Sequence, residues 1–367
     1  MTIGWYVHHQ GAGHLHRFLA TRPWLGDDVV GLSTLPRPAG IPADGWIALP
    51  DDAIDGTPDD PTAGGTLHWV PRGVDGLRER TALIAAWAAA AKPSVLVVDV
   101  SVEVALLGRL LSLPTVLVGQ RGDRGDPAHA LGYAGASRVL VPWTRATHPG
   151  GGGPPDDRLT FCGAVSRFDD APTPDDARPA SACRDVLLLV GAGGHALRAD
   201  DVADAAASDP QRTWHVAGAL RVPGRPGVID HGPAADVWAL LHRCGVVVAT
   251  AGANAIAEVA AARRPLVLLP QDRPFDEQRA HAAALVRAGL ADVPGSWPPA
   301  AEWPALLAAA QRRDPARWSL HHDGRGAARL ADAVREVATA SSRSARSTAL
   351  SDEAVGPNAL GEGPVCA

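Results

Sequence analysis

The sequence predicts an α/β protein of two domains, each built around a parallel sheet. Short apolar runs of strand length alternate with helical segments in both halves of the 367-residue chain, and this alternation is typical of βα units. In the clearest segment, apolar runs at 246–249 and 265–269 flank an alanine-rich helix at 253–262. A glycine-rich turn follows the first strand of each half, which predicts ligand sites at the carboxyl ends of the strands.

The composition indicates how the chain is divided. Between residues 149 and 182 glycine, proline and aspartate dominate, which predicts a linker that permits hinge motion. After residue 341 the apolar periodicity is lost, as in disordered tails. We therefore expect an N-terminal Rossmann-like domain at 1–164, a linker at 165–184, a C-terminal domain at 185–340 and a disordered tail at 341–367.

Charge and residue usage exclude several classes of protein. The net charge of -6 argues against general affinity for nucleic acid or anionic membranes. Lys92 is the only lysine and precedes Pro93, so a Walker A loop and a Schiff-base lysine are excluded. The cysteines are too scattered for metal or disulfide spacing, and no apolar run reaches the length of a transmembrane helix. We expect a cytoplasmic protein, with peripheral attachment at the inner face of the membrane as an alternative.

A glycine turn opens the helix at 253–262. Gly252 allows a ligand to approach the backbone closely, and the helix N-terminus attracts a phosphate group. Asn254 and Glu258 are four residues apart and share one helix face. Taken singly, Gly252 could equally serve only to pack the helix on the sheet, and Glu258 could be a solvated charge.

This segment resembles the C-terminal domain of family 28 glycosyltransferases, which have the GT-B fold of two facing Rossmann-like domains with a cleft between them. The resemblance implies a nucleotide-sugar donor site formed by Gly191, Gly193, Gly194, Ala251, Gly252, Ala253, Asn254, Glu258, Glu277 and Gln278. Within it, Glu258 would bind the ribose, Glu277 and Gln278 would contact the sugar, and the two glycine loops would approach the phosphates. The first domain would then face the acceptor.

The N-terminal strand is followed by HHQGAGHLHR, which resembles the N-terminal loop of the same superfamily. The matching residues are Gly11, Gly13 and His14, with Arg17 one turn further on. An imidazole suits a general base because its ordinary pKa of about 6.5 lets it accept a proton near neutral pH, and we expect His14 to be the catalytic base. Two alternatives are that His14 caps the helix, or that the loop binds a metal through His8, His9, His14 and His16.

The loop GQRGDRGDPAH at 119–129 follows a buried strand and is rich in charge. We interpret it as the acceptor-side wall, with Asp126 and His129 joining Gly11, Gly13 and Arg17 on that side of the cleft. A turn stabilised by local Arg–Asp pairs explains the composition equally well.

The expected function is transfer of a hexosyl group from a nucleotide diphosphate sugar, most simply a UDP sugar, to an acceptor hydroxyl. The resemblance implies inversion at the anomeric carbon. The chain contains no Asp-x-Asp triplet, which favours a metal-independent site that binds phosphate through helix amides; no cofactor is expected beside the co-substrate. Arg17 stands where the family commonly has proline, and Arg263-Arg264 where glycine is usual, so the acceptor, lipid-linked or otherwise, is open.

Three other functions use parts of the same pattern. A nucleotide-sugar 2-epimerase has the same fold but needs carboxylates around the sugar, for which Glu277 is the one clear candidate. A non-catalytic nucleotide-sugar-binding protein would keep Glu258 without needing His14. An NAD enzyme is disfavoured, because GAGHLH lacks the third glycine of the dinucleotide motif and no acidic residue ends the second strand.

Overall fold

The computed structural model describes residues 1–354, apart from 27, 149, 151–152 and 234. Its described part contains a seven-stranded parallel sheet in the order β3-β2-β1-β4-β5-β6-β7. The strands are β1 (Ile3–Tyr6), β2 (Val29–Ser33), β3 (Trp46–Ala48), β4 (Val95–Asp99), β5 (Thr115–Val118), β6 (Arg138–Val141) and β7 (Leu159–Phe161). The connecting helices are α1 (Gly13–Leu25), α2 (Asp75–Ala91), α3 (Val102–Leu110) and α4 (Pro127–Gly135).

A second parallel sheet, of six strands within the described residues, has the order β10-β9-β8-β11-β12-β13. Its strands are β8 (Val186–Val190), β9 (Trp214–Gly218), β10 (Val228–Gly232), β11 (Val246–Ala249), β12 (Leu266–Leu268) and β13 (Ala291–Asp292). The remaining helices are α5 (Ala199–Ala207), α6 (Val237–Arg243), α7 (Ala253–Ala261), α8 (Glu277–Arg287), α9 (Trp303–Gln311) and α10 (Gly326–Ala354). Both predicted domains are therefore α/β units with parallel sheets.

The central strands of both sheets are apolar because helices cover both of their faces. Every residue of β4, β8 and β11 is buried, as expected for parallel strands. Each sheet has an apolar core on either face, for example around Trp5 and Leu117 in the first domain and around Trp214 and Leu241 in the second. Each domain therefore has its own hydrophobic core.

The strand order reverses between β1 and β4 in the first sheet and between β8 and β11 in the second. Open α/β sheets bind ligands in the crevice at this point, outside the carboxyl ends of the strands. The glycine loops at 11–13 and 191–194 follow β1 and β8, and the turn at 251–254 follows β11. All three loops therefore lie at a switch point.

The end of the chain differs from the prediction in two ways. Helix α10 packs against α1, and Leu330, Val334 and Ala338 join the core of the first sheet, whereas the sequence placed residues up to 340 in the second domain. The apolar spacing of four predicts a helical stripe but does not specify which sheet covers it. The helix also continues to Ala354, into the segment predicted to be disordered, because 341–354 contains no glycine or proline to end it. Residues 355–367 of that segment lie outside the described residues.

None of the described helices combines the length and apolar character needed to cross a membrane.

Candidate functional site

The glycine turns of the two domains face each other across a cleft. His16 of α1 places its Nδ1 atom 3.2 Å from Nδ2 of Asn254 at the start of α7. A methyl group added to Gly13 would lie 3.5 Å from the same nitrogen. The N-terminus of α1, in the first domain, is therefore in contact with the N-terminus of α7, in the second.

The predicted phosphate loops lie side by side. Strand β11 pairs with β8, so the turn Ala251–Ala253 and the loop with Gly191 and Gly193 emerge at the same sheet edge. Gly252 is the N-cap of α7 and has no side-chain cap, and a methyl group added to it would meet no atom within 4 Å. The first amides of α7 therefore end in open space, where a helix N-terminus attracts an anion.

A guanidinium group stands beside these loops. Arg273 donates from Nη2 to the carbonyl oxygen of Gly194 at 2.5 Å. The same Nη2 would lie 3.4 Å from a methyl group on Gly193. Gly194 has a φ of 92°, a conformation that favours glycine. The loop thus combines close backbone approach with positive charge.

Glu258 lies on the buried side of α7 and is paired with Arg167. Its Oε1 atom is 2.8 Å from Nε of Arg167. Burial raises the pKa of Glu258, and Arg167 opposes this effect only in part. Arg167 also lies near His16, whose pKa burial and this arginine lower to about 4. Glu258 and Arg167 therefore stand in the same cleft as the two glycine turns.

Gln278 and Glu277 have different surroundings from each other. Oε1 of Gln278 accepts from the backbone amides of Ala251 at 3.1 Å and Gln271 at 2.9 Å, which ties the turn after β11 to the loop after β12. Its carbonyl group is therefore committed to the protein, and only its amide nitrogen could contact a sugar. Glu277 is partly exposed, with Oε2 3.9 Å from Nη2 of Arg124 in the first domain.

The predicted base, His14, belongs to a buried charged cluster. Its Nδ1 lies 3.0 Å from Oδ1 of Asp99, at an angle outside hydrogen-bond geometry. Arg17 donates from Nη1 to both carboxylate oxygens of Asp99, at 2.6 and 2.7 Å. Burial alone would raise the pKa of Asp99, but Arg17 and His14 hold it below its usual range. The carboxylate thus faces Nδ1 of His14, so the base role predicted for His14 would fall to Nε2.

Arg17 therefore does not line the acceptor side as expected. Its side chain is buried and donates from Nη1 to Asp99, so it holds the carboxylate that lies beside the predicted base. The helix-cap alternative for His14 is also unsupported, since α1 begins without a side-chain cap. Helix α3, which follows β4, is capped by Ser101 and not by Asp99. The Asp99 carboxylate is therefore available to Arg17 and His14.

Asp126 and His129, expected on the acceptor side, form a second, partly buried network. Asp126 caps α4 and accepts from the ring Nδ1 of His129 and from Nε2 of His68, the latter at 3.0 Å. Arg124 Nη1 lies 3.0 Å from Nε2 of His129. A guanidinium only donates, so Nε2 of His129 is the acceptor and its proton is on Nδ1. Burial lowers the pKa of His129 against the effect of Asp126. Both nitrogens are used, so His129 is not free to act as a base.

This network also bears on metal binding. The ligand atoms of His68, Asp126 and His129 lie within 4.8 Å of one another. Coordination through Nδ1 of His129 would move its proton to Nε2, where it would meet the donor group of Arg124. The hydrogen bonds of His129 therefore do not fit a role as a metal ligand. Among the described residues, His8, His9, His14 and His16 form no such group with one another, although the ligand atoms of His9, Asp51 and Asp52 do lie within 4.8 Å of one another. His8 and His9 stack at 4.9 Å, and burial lowers the pKa of His8 to about 3.

The acceptor-side loop contacts the second domain directly. The amide of Asp123 donates to the carbonyl oxygen of Phe275 at 2.7 Å, and the guanidinium of Arg124 lies 4.4 Å from the Phe275 ring. A methyl group on Gly122, whose φ is 113°, would be only 2.2 Å from that carbonyl oxygen. Glycine is required there because only it allows the two backbones to approach so closely.

Sequence reasoning missed Arg167, Arg273 and His68, and it did not connect Asp99 with its partners. Arg167 lies in the predicted linker, and nothing in its neighbourhood distinguishes it from other surface arginines. His68 lies in a segment without a recognisable pattern. Asp99 gave a usable signal, since it ends a buried strand at the ligand edge of the sheet, but its partners Arg17 and His14 are more than 80 residues away in the chain.

Comparison with known proteins agrees with this geometry. The glycosyltransferase family 28 C-terminal domain matches residues 235–293, which include all of α7 and α8. None of the curated proteins matches the sequence.

Solved structures with the same fold cover nearly the whole chain. MurG of Acinetobacter baumannii superposes with a TM-score of 0.59 at 16% identity, over 92% of this chain and 100% of its own. LpCGTa in complex with UDP gives 0.61 at 15%, over 92% and 99%. A UDP-glucosyltransferase from Polygonum tinctorium gives 0.65 at 15%, also over 92% and 99%. The predicted GT-B fold and the predicted resemblance to family 28 are confirmed.

The buried cluster predicts a specific pH dependence. Asp99→Asn removes the charge that Arg17 requires, and breaking a buried pair typically lowers the free energy of unfolding by about 3–5 kcal/mol. Because the folded pKa of Asp99 is depressed, this contribution is present above the unfolded value of about 3.9 and is lost as pH falls through the folded pKa. Urea unfolding at neutral pH and below pH ~4 should therefore show a large difference that shrinks in acid.

Asp75→Asn is the matched control, because Asp75 pairs with Arg78 on the surface and such pairs contribute about 0–1 kcal/mol. An Asp99→Asn protein as stable as the parent at neutral pH would contradict the assignment of a buried ion pair.

Proposed function

We propose that this glycosyltransferase transfers a hexosyl group from a UDP sugar to the hydroxyl of an acceptor, with His14 as the general base. The observation that carries the proposal is the arrangement of two unlike half-sites on one cleft. The first domain presents a histidine backed by a buried carboxylate. The second presents an open helix N-terminus and a buried glutamate. The contact between His16 and Asn254 brings them together.

The donor lies on the second domain in this proposal. The amides at the start of α7 and the loop at 191–194 bind the diphosphate, with Arg273 adding positive charge beside Gly194. The carboxylate of Glu258 accepts hydrogen bonds from the ribose hydroxyls. When no donor is bound, Arg167 pairs with Glu258 and neutralises its charge. The guanidinium of Arg167 lies in the cleft that the diphosphate of the donor would enter. The UDP complex of LpCGTa supports uridine as the first nucleotide to test, with thymidine as the nearest alternative.

The reaction is a single displacement. His14 accepts the proton of the acceptor hydroxyl as that oxygen forms its bond to the anomeric carbon, and the bond from this carbon to the diphosphate oxygen breaks. The electron pair leaves with UDP, whose charge the helix amides stabilise. Attack from the face opposite the leaving group inverts the anomeric carbon. Asp99 orients the His14 ring and stabilises the imidazolium that forms, while Arg17 keeps Asp99 ionised.

Two competing functions differ in what they require of the cleft. A 2-epimerase needs carboxylates around the sugar ring, and of the described residues there, Glu277 already faces Arg124. A binding protein has no use for a histidine held beside a buried aspartate. Incubation with the donor alone separates these functions, since an epimerase alters the sugar without an acceptor.

The buried free thiols of Cys162, Cys183 and Cys244 agree with action in a reducing cytoplasm.

The donor assignment makes a prediction for Glu258. Glu258→Ala should weaken UDP binding about ten- to a hundredfold, because hydrogen bonds to a charged group are worth about 1.5–3 kcal/mol. The pKa of Glu258 is raised by burial, so its ionised form destabilises the fold at neutral pH. The isosteric Glu258→Gln should therefore bind UDP less tightly without lowering the unfolding midpoint.

Calorimetric titration with UDP and thermal unfolding measure the two effects. Glu302→Gln, at an exposed position of the second domain, is the control and should change neither. Equal UDP affinity in the parent and in Glu258→Ala would show that the ribose assignment is wrong.

The assignment of the base predicts a separation of turnover from binding. His14→Ala should lower turnover about a hundred- to ten-thousandfold, the usual range for a general base. UDP affinity should stay within about twofold, since the donor contacts are on the other domain. Initial rates over a panel of UDP sugars and hydroxyl acceptors provide the measurement. Near-parent turnover would transfer the role to His68, because Asp126 and His129 are already engaged.

Metal independence is a separate prediction. Helix amides and arginine groups supply the phosphate site, so turnover with an active donor and acceptor pair should be unchanged by excess EDTA. Activity that disappears with EDTA and returns with manganese or magnesium would show that these groups are insufficient.

A further inference from the structure

The first domain contains a cavity that the donor site does not use. It has a volume of about 220 Å³ and lies beyond the carboxyl ends of β5 and β6. Its apolar wall is formed by Tyr133, Val139, Val141, Trp143 and Leu159. An apolar cavity of about 150 Å³ accommodates benzene, so this one has room for a body of one to two rings.

Arg121 places an uncompensated charge in this cavity. Its side chain is buried, with 4% exposed, and its guanidinium lies 4.6 Å from the ring of Trp143. Nη1 and Nη2 donate to the carbonyl and hydroxyl oxygens of Thr147 at 2.6 and 3.3 Å. Those bonds use two of five N–H groups. No carboxylate of the described residues lies within 4.0 Å of the guanidinium.

Burying a guanidinium without a carboxylate partner costs free energy. The groups around Arg121 do not offset this cost. Burial, with Arg287 nearby, lowers the pKa of Arg121 to about 9. His281 and His321 also lie close enough for Arg121 to lower their pKa values. Asp156 is the one acidic group that lines the cavity, and it is exposed and held by Arg145 and His148.

The cavity borders the catalytic cleft through Arg124. This residue lines the cavity, yet its guanidinium also faces Phe275 at 4.4 Å and Glu277 at 3.9 Å on the second domain. Arg124 is thus shared between the cavity and the sugar end of the proposed donor site.

We propose that the cavity binds the apolar body of an acceptor that carries a carboxylate, and that Arg121 pairs with this carboxylate. The acceptor class is then a hydroxylated ring acid, small enough for the cavity and with its hydroxyl directed past Arg124 to the cleft. This assignment as acceptor rests on the proposed transferase function; the binding of the acid itself does not.

The test compares 6-hydroxy-2-naphthoate with 2-naphthol, which lacks the carboxylate, by calorimetric titration of the donor-free protein. The acid should bind about ten- to a hundredfold more tightly than the naphthol. Arg121→Met should abolish this difference, and Arg121→Lys should retain part of it. Leu159→Trp, which fills the cavity and leaves the charges intact, should weaken both ligands.

Arg78→Met is the matched control, because it removes an exposed positive charge of the first domain that does not line the cavity; it should leave both affinities unchanged. Equal binding of the two ligands, no effect of Leu159→Trp, or an equal effect of Arg78→Met and Arg121→Met would overturn the proposal. Titration with UDP in parallel keeps the two proposals apart: naphthoate binding without UDP binding contradicts the donor site, and UDP binding without naphthoate binding contradicts the cavity site.

Discussion

The buried carboxylate of Asp99 is the constraint on which the first half-site depends. An isolated carboxylate in the interior is strongly unfavourable, so its position at the end of β4 requires cations from elsewhere. Arg17 supplies the positive charge from the first turns of α1, and His14 places its Nδ1 3.0 Å from the carboxylate. These contacts fix the start of α1 against the sheet edge, and the glycines of the preceding loop let the chain reach that position. The histidine proposed as the base is thus held by the same cluster that stabilises the fold.

Three buried charges in the chain differ in how completely they are compensated. Asp99 accepts hydrogen bonds at both oxygens from Nη1 of Arg17. Glu258 has Arg167, whose side chain is 37% exposed, and its pKa is raised despite that partner. Arg121 has no carboxylate ion-pair partner among the described residues. A buried charge with strong ion-pair partners serves mainly to stabilise the protein. Charges with incomplete compensation have interaction capacity left for a ligand, and Arg121 also lines a cavity.

The features predicted correctly from the sequence are those formed by residues that are close together in the chain. Gly252, Asn254 and Glu258 belong to one strand, turn and helix, so local spacing was enough to predict a helix N-terminus at a sheet edge. Pairing across the fold was not predictable: Asp99 meets Arg17, and Arg167 from the linker meets Glu258. Gln278 shows the same limit, because a side chain expected to contact a sugar instead accepts two backbone amides. The apolar stripe of α10 was readable, but the sheet that receives it was not.

The boundary between the domains explains how the half-sites could cooperate. Each domain has a separate apolar core, whereas several described contacts across the cleft are polar, such as His16 with Asn254 and Asp123 with Phe275. Polar contacts can exchange partners with water and substrate at little net cost, which suits domains that close on a ligand. Arg167 lies in the predicted linker and pairs with Glu258 of the second domain. Closure of the domains would therefore alter the distance between this cation and the carboxylate of the proposed donor site.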